Sequence, residues 1–552
     1  MGRSGRCIAV GGMAAACLLI AACDVETYKP AKPAPPGPHT YYLSPDGDDD
    51  HDGLSDSRAW RSLARADSVR FKPGDRLRLK AGAVFKGTFT IGKGDAGSAA
   101  RPVVIESYGG GRATIAAAGT EGIAVYNTAG VEIRDLNLVG DAKAFKERDG
   151  INFFSDLPAG RRLDHVRISN VDVSRFQNGI RFGAGKSGSG FRDVRIVDST
   201  VRDNKDAGIV SFGPAFEEAS PKYAHERVTV SRVKVYGNNG DPSADDRNSG
   251  SGIVLGSIRT GRVEGSVSHD NGANSSPKAQ EGPEGIWTYN STGMVIEKNV
   301  SYANHTGSRV DGGGFGLDNN VSSSVLQYNL SFRNDGAGYL VYSSQNTRAH
   351  KKNVVRFNLS GDDARKLPWY GGIVAYGMRV SELDIYHNTV VMKANGAVRA
   401  PALRLEEGLH TVSVRNNVFA TDGAPVVDSE WPYQASRVTF QGNDYFSTGK
   451  WTLRWGKGTF TDLASWRAKA RQEQRGSDPT GTAKDPCLAG VAAPITDVAK
   501  AAAMLVPECA EDVSEGVLDL RSLGIDPGPV DYFGERLSPV AAIGAAEPRT
   551  AD

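Results

Sequence analysis

Residues 296–329 read "IEKNVSYANHTGSRVDGGGFGLDNNVSSSVLQYN" and hold one full period of a register that governs most of the chain. The stretch opens on the asparagine signature "IEKN" and closes on "LQYN", with Ile296 and Leu326 each three positions before Asn299 and Asn329. The signature recurs as "VRFN" at Asn358, "IYHN" at Asn388 and "VRNN" at Asn417, so that the five asparagines stand 30, 29, 30 and 29 residues apart. Working backward, the frame continues without asparagine through Ser266, Val233, Ser199, Val171 and Leu136. A second motif, glycine followed by an apolar residue, falls once per period at Gly150, Gly179, Gly208, Gly252, Gly285, Gly314, Gly338 and Gly372. Two interleaved strand signatures per period exclude helical repeats, whose apolar residues recur every 3.6 positions. They predict a solenoid in which equivalent positions of successive turns stack along one axis and the asparagines form a hydrogen-bonded ladder.

This pattern, over residues 126–446, resembles the right-handed parallel β-helix of the pectin-lyase-like superfamily. The resemblance implies an all-β solenoid of ten or eleven coils with an N-terminal cap and a C-terminal capping tail. The stretch "YYLSPDGDDDHDGLSDSRAWRSL" is similar to the opening of such proteins, and "RSLGIDPGPVDYFGERLSPVAAIGAAEP" to a degenerate form of their closing segment. The resulting division is a signal at 1–23, a tether at 24–39, a cap with the first coils at 40–125, β-helix repeats at 126–446 and a capping region at 447–552. The superfamily holds hydrolases, lyases, epimerases and adhesins, so the fold leaves the reaction open.

At the N-terminus Arg3 and Arg6 precede a short apolar run ending in "LIAACD". This resembles a bacterial lipoprotein signal and implies acylation of Cys23, a lipid anchor in a membrane, and a place in the bacterial cell envelope facing periplasm or exterior. The next 16 residues, "DVETYKPAKPAPPGPH", contain five prolines and form a stiff tether reaching roughly 50 Å. With the signal removed, Cys487 and Cys509 are the two cysteines left besides Cys23. In an oxidising envelope they are expected to pair and contribute about 3 kcal/mol on the chain-entropy estimate. The 65 basic and 64 acidic residues balance to a net charge of +1, so nothing marks nucleic acid as a partner. A monomer is expected.

The connection from the first signature to the following glycine swells to 19, 19 and 15 residues in three consecutive periods, ending at Gly252, Gly285 and Gly314. Stacked side by side, these loops predict a wall along one flank, where solenoids place their binding faces. Alternation along the strands after the glycines turns Ile286, Phe315, Tyr339 and Ile373 inward and Trp287, Tyr289, Asp318, Tyr342 and Tyr376 outward. Aromatic faces with polar tips suit sugar rings. Gly316, beside Trp287, is expected to leave room for a ligand to approach the backbone. Asp311, 29 residues after Gly282, should come close to Glu284.

Glu284, Asp311 and Asp318 are therefore the catalytic candidates, and Trp287, Tyr289, Tyr342, Tyr376, Arg309 and His305 the substrate-binding ones. As a glycoside hydrolase, one protonated and one ionised carboxyl would flank the scissile bond. As a polysaccharide lyase, the acids would neutralise a uronate through Ca²⁺ while Arg309, Lys278 or Lys351 took the alpha proton. No cation stacks in the outward columns near Asp318, which favours hydrolysis. A non-catalytic carbohydrate-binding or assembly protein is the third reading. Separately, Asp48, Asp50 and Asp52 in "DGDDDHDG" have the spacing of a calcium loop, although Ala59 stands where a twelfth-position glutamate belongs. No cofactor is required by the sequence; Ca²⁺ is the one it suggests. The favoured function is cleavage of an extracellular or capsular polysaccharide.

Overall fold

The computed structural model describes residues 37–141, 148–186, 188–509 and 516–548. The signal segment, Cys23 and the tether through residue 36 lie outside the described residues. From Thr40 on, short strands build three sheets of 14, 14 and 13 members that run the length of one β-solenoid, parallel throughout except for the last pair, Leu453–Trp455 with Gly458–Phe460. Each coil contributes one strand to each sheet. Around the quoted stretch these are Thr292–Glu297, Val300–Tyr302 and Gly313–Leu317. The asparagine signature ends the first strand, a three-residue strand follows it, and the glycine motif starts the third. About thirteen coils form, against ten or eleven expected, because residues 40–125 already contribute strands to all three sheets without carrying the asparagine marker.

The inward column is set by register. Ile151, Ile180, Ile209, Ile253, Ile286, Phe315, Tyr339, Ile373 and Leu403 pair coil to coil and are all fully buried. β-Branched and aromatic side chains suit a pleated surface, and each such burial contributes roughly 1.5–3 kcal/mol.

The asparagines do form a ladder. Asn299 donates its side-chain amide to Asn329 at 3.0 Å, Asn329 to Asn358 at 3.1 Å, Asn358 to Asn388 at 3.0 Å and Asn388 to Asn417 at 2.8 Å. At Asn329 the Oδ1 also accepts the Asn299 backbone N–H, and the Nδ2 also donates to the Ile296 carbonyl, so all four bonds of a buried amide are made. Earlier members of the frame keep the role with a hydroxyl: Ser266 Oγ accepts the N–H of Val233, and Ser199 Oγ that of Val171.

A second ladder, five residues downstream, runs through Asn204, Asn238, Asn271, Asn304 and Asn334. Every rung in both ladders points the same way along the axis, and each ladder ends on an acid that only accepts. Asn334 donates to Asp363, and Asn443, the last amide of the first ladder, donates to Glu473.

The recurrent glycine has a steric origin. A Cβ on Gly285 would lie 2.0 Å from Ser301 Oγ, and one on Gly314 would lie 2.3 Å from Ser331 Oγ. The coil is so narrow at this corner that the facing side chain occupies the space a side chain here would need.

At the C-terminal end, helix Leu463–Ala470 places the fully buried Trp466 edge-on to Phe440, Tyr445 and Trp455. Beyond that plug the C-terminal segment also covers a flank. Leu488, Ile495, Leu505 and Ile543 run back over the outside of the solenoid and bury Leu330, Phe332, Leu359 and Val391. Cys487 and Cys509 are joined by a disulfide in this segment. Among the described residues no helix is long and apolar enough to cross a membrane.

Candidate active site

Three strands of one sheet, Glu284–Tyr289, Gly313–Leu317 and Tyr339–Ser343, form the floor of a cleft of about 630 Å³. The register pairs Thr288 with Leu317 and Leu317 with Val341, which sets Tyr289, Asp318 and Tyr342 in one column, and Tyr342 pairs in turn with Tyr376. The swollen connections stand as a wall, bonded sideways to one another. The N–H of Asn274 donates to the Asn239 carbonyl at 2.6 Å, and that of His305 to the Asn271 carbonyl at 2.7 Å. Asn248, Gln280, Glu281, Gly282 and Val310 of this wall line the cleft. On the opposite flank the connection 213–224 runs along the axis, and the Glu218 carboxyl accepts the backbone N–H of Arg348.

The three candidate acids all line the cleft. Glu284 is 5% exposed, and its Oε2 has no hydrogen-bond partner. Burial pushes its pKa well above the usual carboxylate range, and the neighbouring Asp311 and Asp318 push the same way. Asp311 is fixed more firmly: its Oδ2 accepts the Gly282 N–H at 2.8 Å and its Oδ1 accepts the Tyr370 hydroxyl at 2.8 Å. Burial raises its pKa too, but those two donors oppose the shift. Asp318 has one such donor, the Asn319 N–H at 2.5 Å. Burial, opposed by that bond and assisted by Asp311 and Glu281, pushes its pKa up to about 7. Like charges crowded in a poorly hydrated site cannot all ionise together. Asp311, with two donors opposing the effect of burial, is the member best equipped to carry the negative charge, and Glu284 and Asp318 are pushed toward their protonated forms.

Gly316 is explained by Glu284 rather than by a ligand. A Cβ at this position would lie 2.1 Å from Glu284 Oε2, so the bare Cα is the space into which the carboxyl folds. Of the neighbouring glycines, Gly312 alone has a positive φ, 80°, and it follows Asp311 at 60°. Aspartate tolerates that left-handed turn because its side chain is short and polar.

The aromatic candidates divide. Tyr342 and Tyr376 form a tilted pair with ring centroids 4.6 Å apart, half-buried and facing the cleft. Tyr289 lies over Gly256 and donates its hydroxyl to the Ser211 carbonyl at 3.3 Å. Trp287 is 7% exposed and donates its indole N–H to Ser251 Oγ at 3.1 Å, which makes it floor rather than an open platform.

Two expected residues lie elsewhere. His305 faces Asp335 at 3.4 Å, a pairing that raises its pKa, and is not part of the lining. Arg309 is exposed on the wall and likewise does not line the cleft. The expected lyase bases are no better placed: Lys278 pairs with Asp245 at 3.3 Å, and Lys351 lies on a strand of another sheet. The residues lining the cleft include no Lys, Arg or His.

Sequence reasoning missed Tyr370 and Glu281. Tyr370, 59 residues from Asp311, sits in the 14-residue connection between Asn358 and Gly372, whose length was a signal.

The calcium loop does not converge. Asp48 Oδ1 accepts the Asp50 N–H, and Asp52 caps Leu54 and pairs with Arg58 at 3.0 Å, so these acids close turns. Among the described residues no group of three His, Cys, Asp or Glu side chains is arranged to hold a metal ion.

No protein-family model and no curated protein matches the sequence. Among solved structures, the chain resembles the GH136 lacto-N-biosidase from Eubacterium ramulus. For the native form the TM-score is 0.51 at 17% identity, over 66% of this chain and 65% of that one. For its selenomethionine derivative the values are 0.52 and 18%, over 68% and 67%. The match to the native form thus spans less than two thirds of the biosidase's length, and identity at this level concerns the fold. A mannuronan C-5 epimerase A-module from Azotobacter vinelandii gives a TM-score of 0.41 at 14% identity, over 75% and 91%. With its stacked coils, asparagine ladders and three long sheets, the chain has a parallel β-helix fold.

Proposed function

We propose that the chain is a glycoside hydrolase acting on an uncharged polysaccharide. The observation that carries this reading is the convergence of three carboxyls of unequal proton affinity in one cleft lined by aromatic rings and by no cationic side chain. Asp318, with a pKa near 7, is suited to donate its proton to the glycosidic oxygen as the bond to the anomeric carbon breaks. Asp311, clamped by Tyr370 and the Gly282 N–H, is suited to stabilise the positive charge that develops on that carbon until a water adds there and gives its proton back to Asp318. Burial pushes Glu284, behind them, toward its protonated form, which limits the negative charge the cluster accumulates. Tyr342 and Tyr376 offer a ring surface for a sugar face.

A carboxyl-lined cleft with no cationic side chain offers uronates and sulfates no counter-charge, and a lyase would need a cationic base that none of Lys278, Arg309 or Lys351 supplies from its position. A structure of similar fold is named a GH136 lacto-N-biosidase, which supports a glycosidase reading at the level of fold. The N-terminal sequence adds the location: we place the enzyme in the cell envelope, tethered through an acylated Cys23.

Incubation with neutral and acidic polysaccharides tests the function. New reducing ends without the ultraviolet absorbance of an unsaturated uronate are expected from neutral polymers. New ends accompanied by that absorbance would mean a lyase, and retention of a polymer without new ends would mean a binding protein.

A further inference from the structure

The cleft does not end where its walls do. The outward column that holds Tyr289 and Asp318 continues through Gly256, Phe212, Gly183, Phe154 and Tyr126 toward the N-terminus. The two glycines leave space that rings fill: a Cβ on Gly183 would meet the Phe212 ring at 2.2 Å, and one on Gly256 would meet the Tyr289 ring at the same distance. The rings therefore lean into neighbouring coils and close the gaps between them. Tyr126 stacks on Phe154 at 5.8 Å and Phe154 on Phe212 at 6.3 Å. Tyr289 reaches back to the carbonyl of Ser211, the residue before Phe212. Val210, in the parallel column, lines the cleft itself.

Beside this rib runs a polar row. Val210 is in register with Arg181, and Arg181 with Asn152. The Arg181 guanidinium covers the Phe212 ring at 4.6 Å and pairs with Asp149 at 3.1 Å. Asn152 donates to Glu121 at 2.7 Å, while its Oδ1 is buried without a partner. Tyr126 is 42% exposed and hydrogen-bonded to Asp156. An apolar rib flanked by amide, guanidinium and carboxyl groups matches a sugar chain, whose rings are apolar on their faces and hydroxylated at their edges.

We propose that this strip is a glycan-binding track continuous with the cleft, engaging several sugar residues of a polysaccharide that lies along the solenoid axis. It extends the hydrolase reading and rests on it for the class of ligand. From Tyr289 to Tyr126 it spans five coil steps, about 24 Å at ~4.8 Å each. The mixed polar row also gives this half of the surface the hydrogen-bonding specificity that stacked rings lack.

The test compares wild type with Tyr126→Ala and with the Tyr126→Ala/Phe154→Ala pair, on an array of neutral oligosaccharides two to ten residues long and on their parent polymers. Circular dichroism melting checks the fold, and the single variant, at an exposed position, keeps the test usable if the pair is unstable. The expected result is a kcat/KM lowered roughly tenfold on the long chains of the cleaved series and unchanged on the shortest cleaved one, the worth of about one aromatic contact. Equal loss on short and long chains, or none on either, overturns the track. If the wild type cleaves nothing, the hydrolase reading fails separately. Array binding then decides: affinity that rises with chain length and loses that rise in the variants supports the track, and affinity independent of length, or no binding, overturns it.

Discussion

The Tyr370 hydroxyl is clamped to Asp311 from both sides: it donates to Oδ1 at 2.8 Å and accepts the Asp311 backbone N–H at 3.0 Å. One phenol thereby fixes both the position and the charge of a carboxylate from a coil two turns away. Replacing it by phenylalanine removes a charge-assisted bond worth about 1.5–3 kcal/mol. Tyr370→Phe is therefore expected to lower kcat ten- to a hundredfold, with about 1.4 kcal/mol per factor of ten. The acidic limb of the pH–rate profile should move to higher pH, because Asp311 loses one of the two donors that oppose the effect of burial. A lower rate with an unmoved limb would assign Tyr370 to packing alone.

In the proposed acid role, Asp318, whose pKa burial pushes up to about 7, should set the alkaline limb. Activity should fall as pH rises through about 7, because the proton it donates is gone. Asp318→Asn is expected to lower kcat by about 10²–10⁴, the usual contribution of a general acid. Steady-state rates from pH 4 to 9 check both statements, and a profile that stays flat above pH 7 would remove Asp318 from the acid role.

The same residue makes stability depend on pH. The folded chain keeps a proton on Asp318 up to about pH 7, whereas an unfolded aspartate loses it near pH 3.9. Between those values the folded state binds more protons than the unfolded one, so stability contributed at low pH is lost as pH rises across the window. Asp318→Asn should abolish this dependence and make the variant more stable than wild type at pH 8, on the order of 1–3 kcal/mol, with little difference at pH 4. Denaturant titrations at the two pH values measure it.

Gly316→Ala puts a methyl group where Glu284 Oε2 now lies, 2.1 Å from the ideal Cβ. An overpacking cost of about 1–3 kcal/mol is expected, with displacement of the carboxyl. Pairing it with Glu284→Ala should recover most of the stability, since the clash partner is gone. A double variant no more stable than Gly316→Ala would show that the glycine serves some other contact.

Asn358→Ala cuts the first ladder in its middle. It leaves the Asn329 amide without its acceptor and the Asn388 Oδ1 without its side-chain donor, both fully buried. A loss of about 2–5 kcal/mol is expected from groups stranded away from water. Chemical denaturation reads the loss directly.

The sequence by itself determined the solenoid. Asn299, Asn329, Asn358, Asn388 and Asn417 advertise their stacking because a buried amide that must bond to its own copy in the next coil has to recur at the length of one coil. The glycines of the second motif are legible for a related reason: the same corner is crowded in coil after coil, as Gly285 and Gly314 show. The second ladder was equally readable, five residues after the first, and the wall of swollen loops followed from connection lengths alone.

What the tertiary structure decided is which neighbour fills each outward space. Nothing in the spacing says that Glu284 folds onto Gly316, that Tyr289 leans over Gly256, or that Tyr370 reaches Asp311 across 59 residues. Nor does it say that His305 turns to Asp335 and Arg309 to solvent, or that the tail returns along the outer wall. Register is a property of the backbone and repeats with the coil. The direction of a long side chain is settled by competition among several coils for the same few cubic ångströms, and that competition exists only once they are stacked.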